Sequence, residues 1–168
     1  RVSEDGWSLK EAVVPGFPFP FPKTGTEAMW NSKLRYHGEG IEYKNITTVV
    51  SPRKGSDTWI KPQMEFNYYF PLGVKGSALL SSLPQVESHG YISYTKPAAL
   101  AGQAFAVTVY ANQPSETFYY FPGQRRVRRM PSYAYDAPQI GYENQYTMDE
   151  VTVFYGPMDR FDWKLVGK

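Results

Sequence analysis

The rhythm of apolar and polar positions changes near residue 41. Before it, Trp30, Leu34 and His37 recur at i, i+4 and i+7, while Asn31, Lys33 and Arg35 point elsewhere. That is the repeat of one helix face. Thr24 or Thr26 can cap its start, Glu27 sits in its first turn, and Gly38 and Gly40 stop it; the spacing predicts one α-helix here. From residue 41 the texture is that of strands. The segment 41–50 holds Ile46, Thr47, Thr48, Val49 and Val50, β-branched residues suited to a pleated surface. Met64, Phe66, Tyr68 and Phe70 alternate with Glu65, Asn67 and Tyr69, and Phe105, Val107 and Val109 alternate with Ala106, Thr108 and Tyr110. A further run covers 87–96. Runs at 117–121 and 125–130 flank Pro122-Gly123-Gln124, which reads as a hairpin.

Residues 1–23 follow neither rhythm. Pro15, Pro18, Pro20 and Pro22 interleave with Phe17, Phe19 and Phe21. Proline fixes φ and pushes its predecessor to extended geometry, so this stretch predicts an extended arm that packs on the sheet. An irregular piece rich in Tyr, Pro and Asp follows residue 130, with a short helix expected at 148–155. Short strands spaced by turn residues, without a βαβ rhythm, predict a mainly β fold. The expectation is a curved antiparallel sheet with one N-terminal α-helix and a short C-terminal helix, in one domain spanning 1–168. No internal repeat divides the 168 residues.

Composition narrows the class. Aromatic residues are 17 % of the chain, which excludes ordinary disorder, and Gly 14 with Pro 14 excludes a helical bundle. A net charge of +2 is too balanced to indicate a nucleic-acid partner. Without cysteine, disulfides, thiolate catalysis and cysteine-ligated zinc are excluded. No run of ~18 apolar residues is present to cross a membrane as a helix. The chain opens on Arg1 and closes on Leu165-Val166-Gly167-Lys168 without a leader, which reads as a fragment of a longer, processed protein.

A search for catalytic chemistry returns structural readings. His37 and His89 are the only histidines, and neither stands at a spacing that makes a metal pair. Asp159 and Asp162 have Arg160 and Lys164 beside them for ordinary ion pairs, and Asn45-Ile46-Thr47 matches a glycosylation sequon inside a strand. No nucleophile elbow, P-loop or dinucleotide fingerprint occurs. The expectation is a non-enzymatic protein with no cofactor and no metal. Gln124-Arg125-Arg126-Val127-Arg128-Arg129 concentrates the positive charge. Alternation on a strand puts Arg125, Val127 and Arg129 on one face and Arg126 and Arg128 on the other, so the run splits rather than forming one basic stripe.

Four segments carry a family resemblance: Phe17-Pro18-Phe19-Pro20-Phe21-Pro22-Lys23, Glu27-Ala28-Met29-Trp30-Asn31, the stretch from Phe121 to Pro131, and the stretch from Met158 to Lys168. In that order they resemble the DUF1329 family, exported proteobacterial proteins labelled as outer-membrane lipoprotein-sorting proteins. The resemblance implies kinship with the LolA/LolB-like fold, an open half-barrel whose concave face shelters acyl chains. It also implies a place in the periplasm or cell envelope of a Gram-negative bacterium. It implies no catalytic residues.

Two functions follow. In the first, the chain is a carrier for a lipid, a lipoprotein acyl chain or another hydrophobic ligand held on the concave face. Met64, Phe66, Tyr68, Phe70, Phe105, Val107, Val109, Phe118 and Tyr120 would line it under Trp30 and Leu34, and Arg126 and Arg128 at the rim would meet a head group or partner. In the second, the same residues are solid core, and the Phe/Pro arm and sheet edges dock an envelope protein partner.

Overall fold

A computed structural model describes residues 1–73, 76–131, 135–152 and 154–167. In chain order its elements are β1 (Val13–Val14), α1 (Gly25–Leu34), β2 (Gly40–Thr47), β3 (Gln63–Tyr69), β4 (Ala78–Leu79), β5 (Val86–Lys96), β6 (Ala104–Tyr110), β7 (Glu116–Phe121) and β8 (Arg126–Arg129). Six of the strands form one antiparallel sheet in the order β2-β3-β5-β6-β7-β8, and β1 pairs with β4 separately. The two edge strands do not meet, so the sheet is open rather than a barrel. This is the mainly β architecture expected, with one α-helix.

α1 begins at a capping box. Thr24 Oγ1 accepts from the Glu27 N–H at 3.2 Å, and Glu27 Oε2 accepts from the Thr24 N–H at 3.3 Å, so two donors at the helix start satisfy each other's side chains. Gly25 is needed there for space: a Cβ would lie 2.3 Å from the Trp163 backbone. The helix stops at Leu34, one turn earlier than the pattern suggests. The Gly16 N–H donates to the Leu34 carbonyl at 2.8 Å and so occupies the acceptor that a further turn would offer to Gly38. His37 therefore lies outside the helix, with its ring 5.7 Å from that of Phe70.

The arm lies along the helix. Asn31 clamps Phe19, its Oδ1 accepting from the Phe19 N–H at 3.0 Å and its Nδ2 donating to the Phe19 carbonyl at 2.6 Å. The Trp30 indole N–H donates to the Trp7 carbonyl at 2.7 Å.

β2 ends at Thr47, short of Val50, because Pro62 faces Thr48. The Thr48 N–H donates to the Pro62 carbonyl at 3.0 Å, but proline returns no N–H and the ladder lapses. Within β2 a bulge between Tyr43 and Ile46, with Asn45 at φ 60°, keeps Ile46 on the face that carries Tyr43. The helix expected at 148–155 is instead a 3₁₀ turn, Asp149–Thr152, and a second turn follows at Met158–Arg160. Gly156 at φ 88° and Pro157 interrupt any longer helix. Arg125 is the left-handed residue that closes the β7–β8 hairpin rather than a strand residue.

Two apolar clusters result. One gathers Val50, Met64, Ile92, Phe105, Tyr119 and Tyr142 on a single face of the sheet. The other joins Ala12 and Val14 of the N-terminal segment to Trp30, Leu34 and Met158.

Candidate functional site

Strand register decides which side chains share a face, because successive residues alternate. Met64, Phe66 and Tyr68 on β3 stand opposite Tyr94, Ile92 and Gly90 on β5. Ile92, Gly90 and Ser88 in turn face Phe105, Val107 and Val109 on β6. The next strand contributes Thr117 and Tyr119, paired with Val107 and Phe105. These residues define the covered face of the sheet.

Between this face, α1 and the C-terminal segment lies a cavity of about 570 Å³, a size typical of small-molecule sites. Its walls include Trp30 and Leu34 from the helix and Tyr68, Phe70 and Val109 from the sheet. The sequence pattern did not point to five further apolar residues of its wall: Leu9, Leu72, Leu80, Phe154 and Met158. They lie in irregular segments or 3₁₀ turns, where no period marks a buried face. Leu9 and Met158 stand as lone apolar residues, whereas Leu72, Leu80 and Phe154 sit in short apolar runs without a helix or strand period.

One ion pair is built into the wall. The Lys33 Nζ contacts Glu87 Oε1, with the two side chains 8 % and 16 % exposed. Lys33 also donates to the Gly156 carbonyl at 2.5 Å, and Glu87 Oε2 accepts from the Gly156 N–H at 3.1 Å. The triangle ties α1 to β5 and to the C-terminal segment. The Lys33 ammonium lies 5.3 Å from the Phe154 ring centroid and 5.9 Å from that of Trp30.

Tyr68 lies flat across the face because Gly90 opposite it has no side chain. A Cβ there would come within 2.7 Å of the Tyr68 ring. The same ring stacks on Phe66 with centroids 4.6 Å apart. Burial pushes the Tyr68 phenol up to about 12, aided by Tyr146, so the hydroxyl is neutral at physiological pH.

The expected lining is thus divided. Trp30, Leu34, Tyr68, Phe70 and Val109 come together around this cavity, whereas Met64 and Phe66 line a second space toward the other end of β3. Phe105 and Val107 are buried on the same face. Phe118 and Tyr120 are corrected: their register partners Ala106 and Ala104 put them on the opposite face, 40 % and 38 % exposed. Tyr119, fully buried between them, takes the inward place. Arg126 and Arg128 pair with Phe121 and Tyr119 and so share the parity of the covered face. Both are exposed on the edge strand, away from the walls of the cavity, and Arg128 donates to Gln124 at 2.6 Å. Arg160 pairs with Asp149 at 3.2 Å rather than with its neighbouring aspartates. Among the described residues no three His, Asp or Glu side chains gather as a metal set, and no helix is long and apolar enough to cross a membrane.

The family described as a protein of unknown function, DUF1329, matches residues 1–168. The chain belongs to the DUF1329 family. An uncharacterised protein of Pseudomonas aeruginosa is 34 % identical over 161 residues, covering 90 % of this chain and 33 % of that relative. Among solved structures, a "putative outer membrane lipoprotein-sorting protein domain" from Vibrio parahaemolyticus superposes with a TM-score of 0.55 at 18 % identity, over 74 % of this chain and 46 % of that one. The chain therefore spans about a third of the relative and less than half of the structural neighbour. The superposition shows a shared fold, built on the open antiparallel sheet described above.

Proposed function

We propose that this DUF1329 chain is a non-enzymatic binding or carrier module of the Gram-negative cell envelope. Its ligand is a lipid, an acyl chain or another hydrophobic molecule held beneath α1. The observation that carries the reading is the cavity of about 570 Å³, walled by apolar side chains from the helix, the covered face and the C-terminal segment. The name of the structural neighbour supports an envelope setting and a sorting role, by likeness of fold. Lys33 and Glu87 are engaged with each other and with Gly156, so the buried part of the wall suits an apolar body, while Lys10, Glu11, Arg35 and Asp159 add charge elsewhere on the wall. Titration with cis-parinaric acid, which fluoresces when its chain leaves water, tests the reading. Saturable binding that falls at least tenfold in Val109→Trp supports it; no saturable binding, or binding unchanged by the bulky residue, refutes it.

A second reading has its own observation. Phe17 and Phe21 of the arm are 64 % and 87 % exposed while Phe19 is held down. Exposed phenylalanines on a proline-stiffened ribbon suit a protein partner. If the arm docks to an envelope protein or a second copy, replacing Phe17 and Phe21 by Ser abolishes association in sedimentation experiments and leaves cis-parinaric acid binding intact.

A further inference from the structure

Toward the Met64 end of β3, a second space of about 430 Å³ lies between the covered face and the loop of residues 139–146. Ile46, Val50, Met64, Phe66 and Ile92 make its apolar floor. Its polar side chains are Thr48, Gln139, Tyr142, Gln145 and Tyr146. Gln139 is only 3 % exposed, and its Oε1 accepts no hydrogen bond. The backbone holds it there: the Gln139 N–H donates to the Tyr146 carbonyl at 2.8 Å and its carbonyl accepts from the Tyr142 N–H at 3.3 Å. The Tyr142 hydroxyl directs its proton to the Met64 thioether at 3.8 Å, a weak acceptor, and the Thr48 hydroxyl on the same wall is also buried without a hydrogen-bond partner. Gln145 is committed to Ser51 through both ends of its amide.

Gln139, with an unmet acceptor, and Tyr142 and Thr48, whose hydroxyls have no strong partner, thus line the same space. No residue lining it is charged, and burial raises the Tyr142 phenol and keeps it neutral. A buried acceptor without a donor is costly, and a water placed there would satisfy Gln139 while leaving the apolar floor wet. The group that answers both Gln139 and Tyr142 must give one proton and take another. A hydroxyl or an amide does so; a carboxylate, an ammonium or a hydrocarbon does not.

We propose that this space is a second binding site, separate from the cavity beneath α1, for a small neutral ligand with an apolar body and a hydroxyl or amide group. Its donor is accepted by Gln139 Oε1, and its acceptor takes the proton of Tyr142.

Benzyl alcohol, toluene and benzoate separate the possibilities, followed by backbone amide chemical shifts. Benzyl alcohol is expected to give saturable shifts at Val50, Gln139 and Tyr142 while the amides of Trp30 and Lys33 stay in place. Toluene, lacking the hydroxyl, is expected to bind about tenfold more weakly, and benzoate not at all. Gln139→Leu should reduce benzyl alcohol to the level of toluene. Tyr142→Phe, which keeps the ring, should weaken the alcohol without affecting toluene, and serves alone if Gln139→Leu does not fold. The proposal is overturned by a space holding only water (no saturable shift with any probe), by equal affinity for toluene or benzoate, or by shifts centred on α1. None of these outcomes bears on the cavity beneath the helix.

Discussion

Replacing Lys33 by Met leaves Glu87 charged, 16 % exposed and without its cation. Glu87 would keep only the Gly156 N–H at 3.1 Å. Breaking one side of a buried pair in this way costs about 3–5 kcal/mol, because the remaining charge is neither solvated nor paired. Glu87→Gln keeps the shape and strands the Lys33 ammonium between Phe154, Trp30 and the Gly156 carbonyl. Its cost is of the same order. Removing both charges in Lys33→Met/Glu87→Leu strands no charge but leaves the buried Gly156 N–H and carbonyl without these partners, so it should recover only part of that loss. Urea unfolding followed by tryptophan fluorescence reads this out directly. With a slope of about 2 kcal/mol per molar, each single substitution should lower the midpoint by roughly 1.5–2.5 M, and the double by no more than about a single one, well short of their sum. Single losses under about 1 kcal/mol, or a double variant whose loss is the sum of the singles, would show that the pair is solvated and that the triangle does not hold the helix over the sheet.

Other outcomes test other parts of the account. Tyr119→Ala should cost about 3–5 kcal/mol, whereas Phe118→Ser and Tyr120→Ser should each stay near or below about 1 kcal/mol, since only Tyr119 is buried; thermal melts decide. Gly90→Ala should destabilise by about 1–3 kcal/mol, because its methyl meets the Tyr68 ring at 2.7 Å, and Tyr68→Phe/Gly90→Ala should not relieve the clash while Tyr68→Ala/Gly90→Ala should. Tyr68 is held protonated in the fold, its value raised from 10.0 to about 12. The resulting stabilisation is complete below pH 10 and disappears as pH rises toward 12, so the parent should lose roughly 2–3 kcal/mol more than Tyr68→Phe across that window.

Much of the sheet is legible in the sequence because β3 and β6 alternate cleanly: one parity of Met64-Glu65-Phe66-Asn67-Tyr68 is apolar, and the register confirms which side is covered. β7 defeats the same logic. Thr117-Phe118-Tyr119-Tyr120-Phe121 is aromatic at both parities, so only the pairing with β6 reveals that Tyr119 turns inward. The helix is marked at its start by Thr24 and Glu27, but its end depends on a long-range bond from Gly16. Part of the cavity wall comes from Leu9, Leu72, Leu80, Phe154 and Met158, brought together by tertiary packing alone. Gln139 and Tyr142 sit in a loop whose composition gives no hint of a burial site.

The central claim is that an apolar chain lies beneath α1. A fatty acid carrying a terminal diazirine, photolysed on the protein and mapped by peptide mass spectrometry, locates it. The account predicts adducts on Leu34, Leu80, Val109 and Met158, displaced by excess unlabelled fatty acid. Labelling confined to exposed residues such as Phe21, Trp59 and Val127, and insensitive to competition, would contradict it.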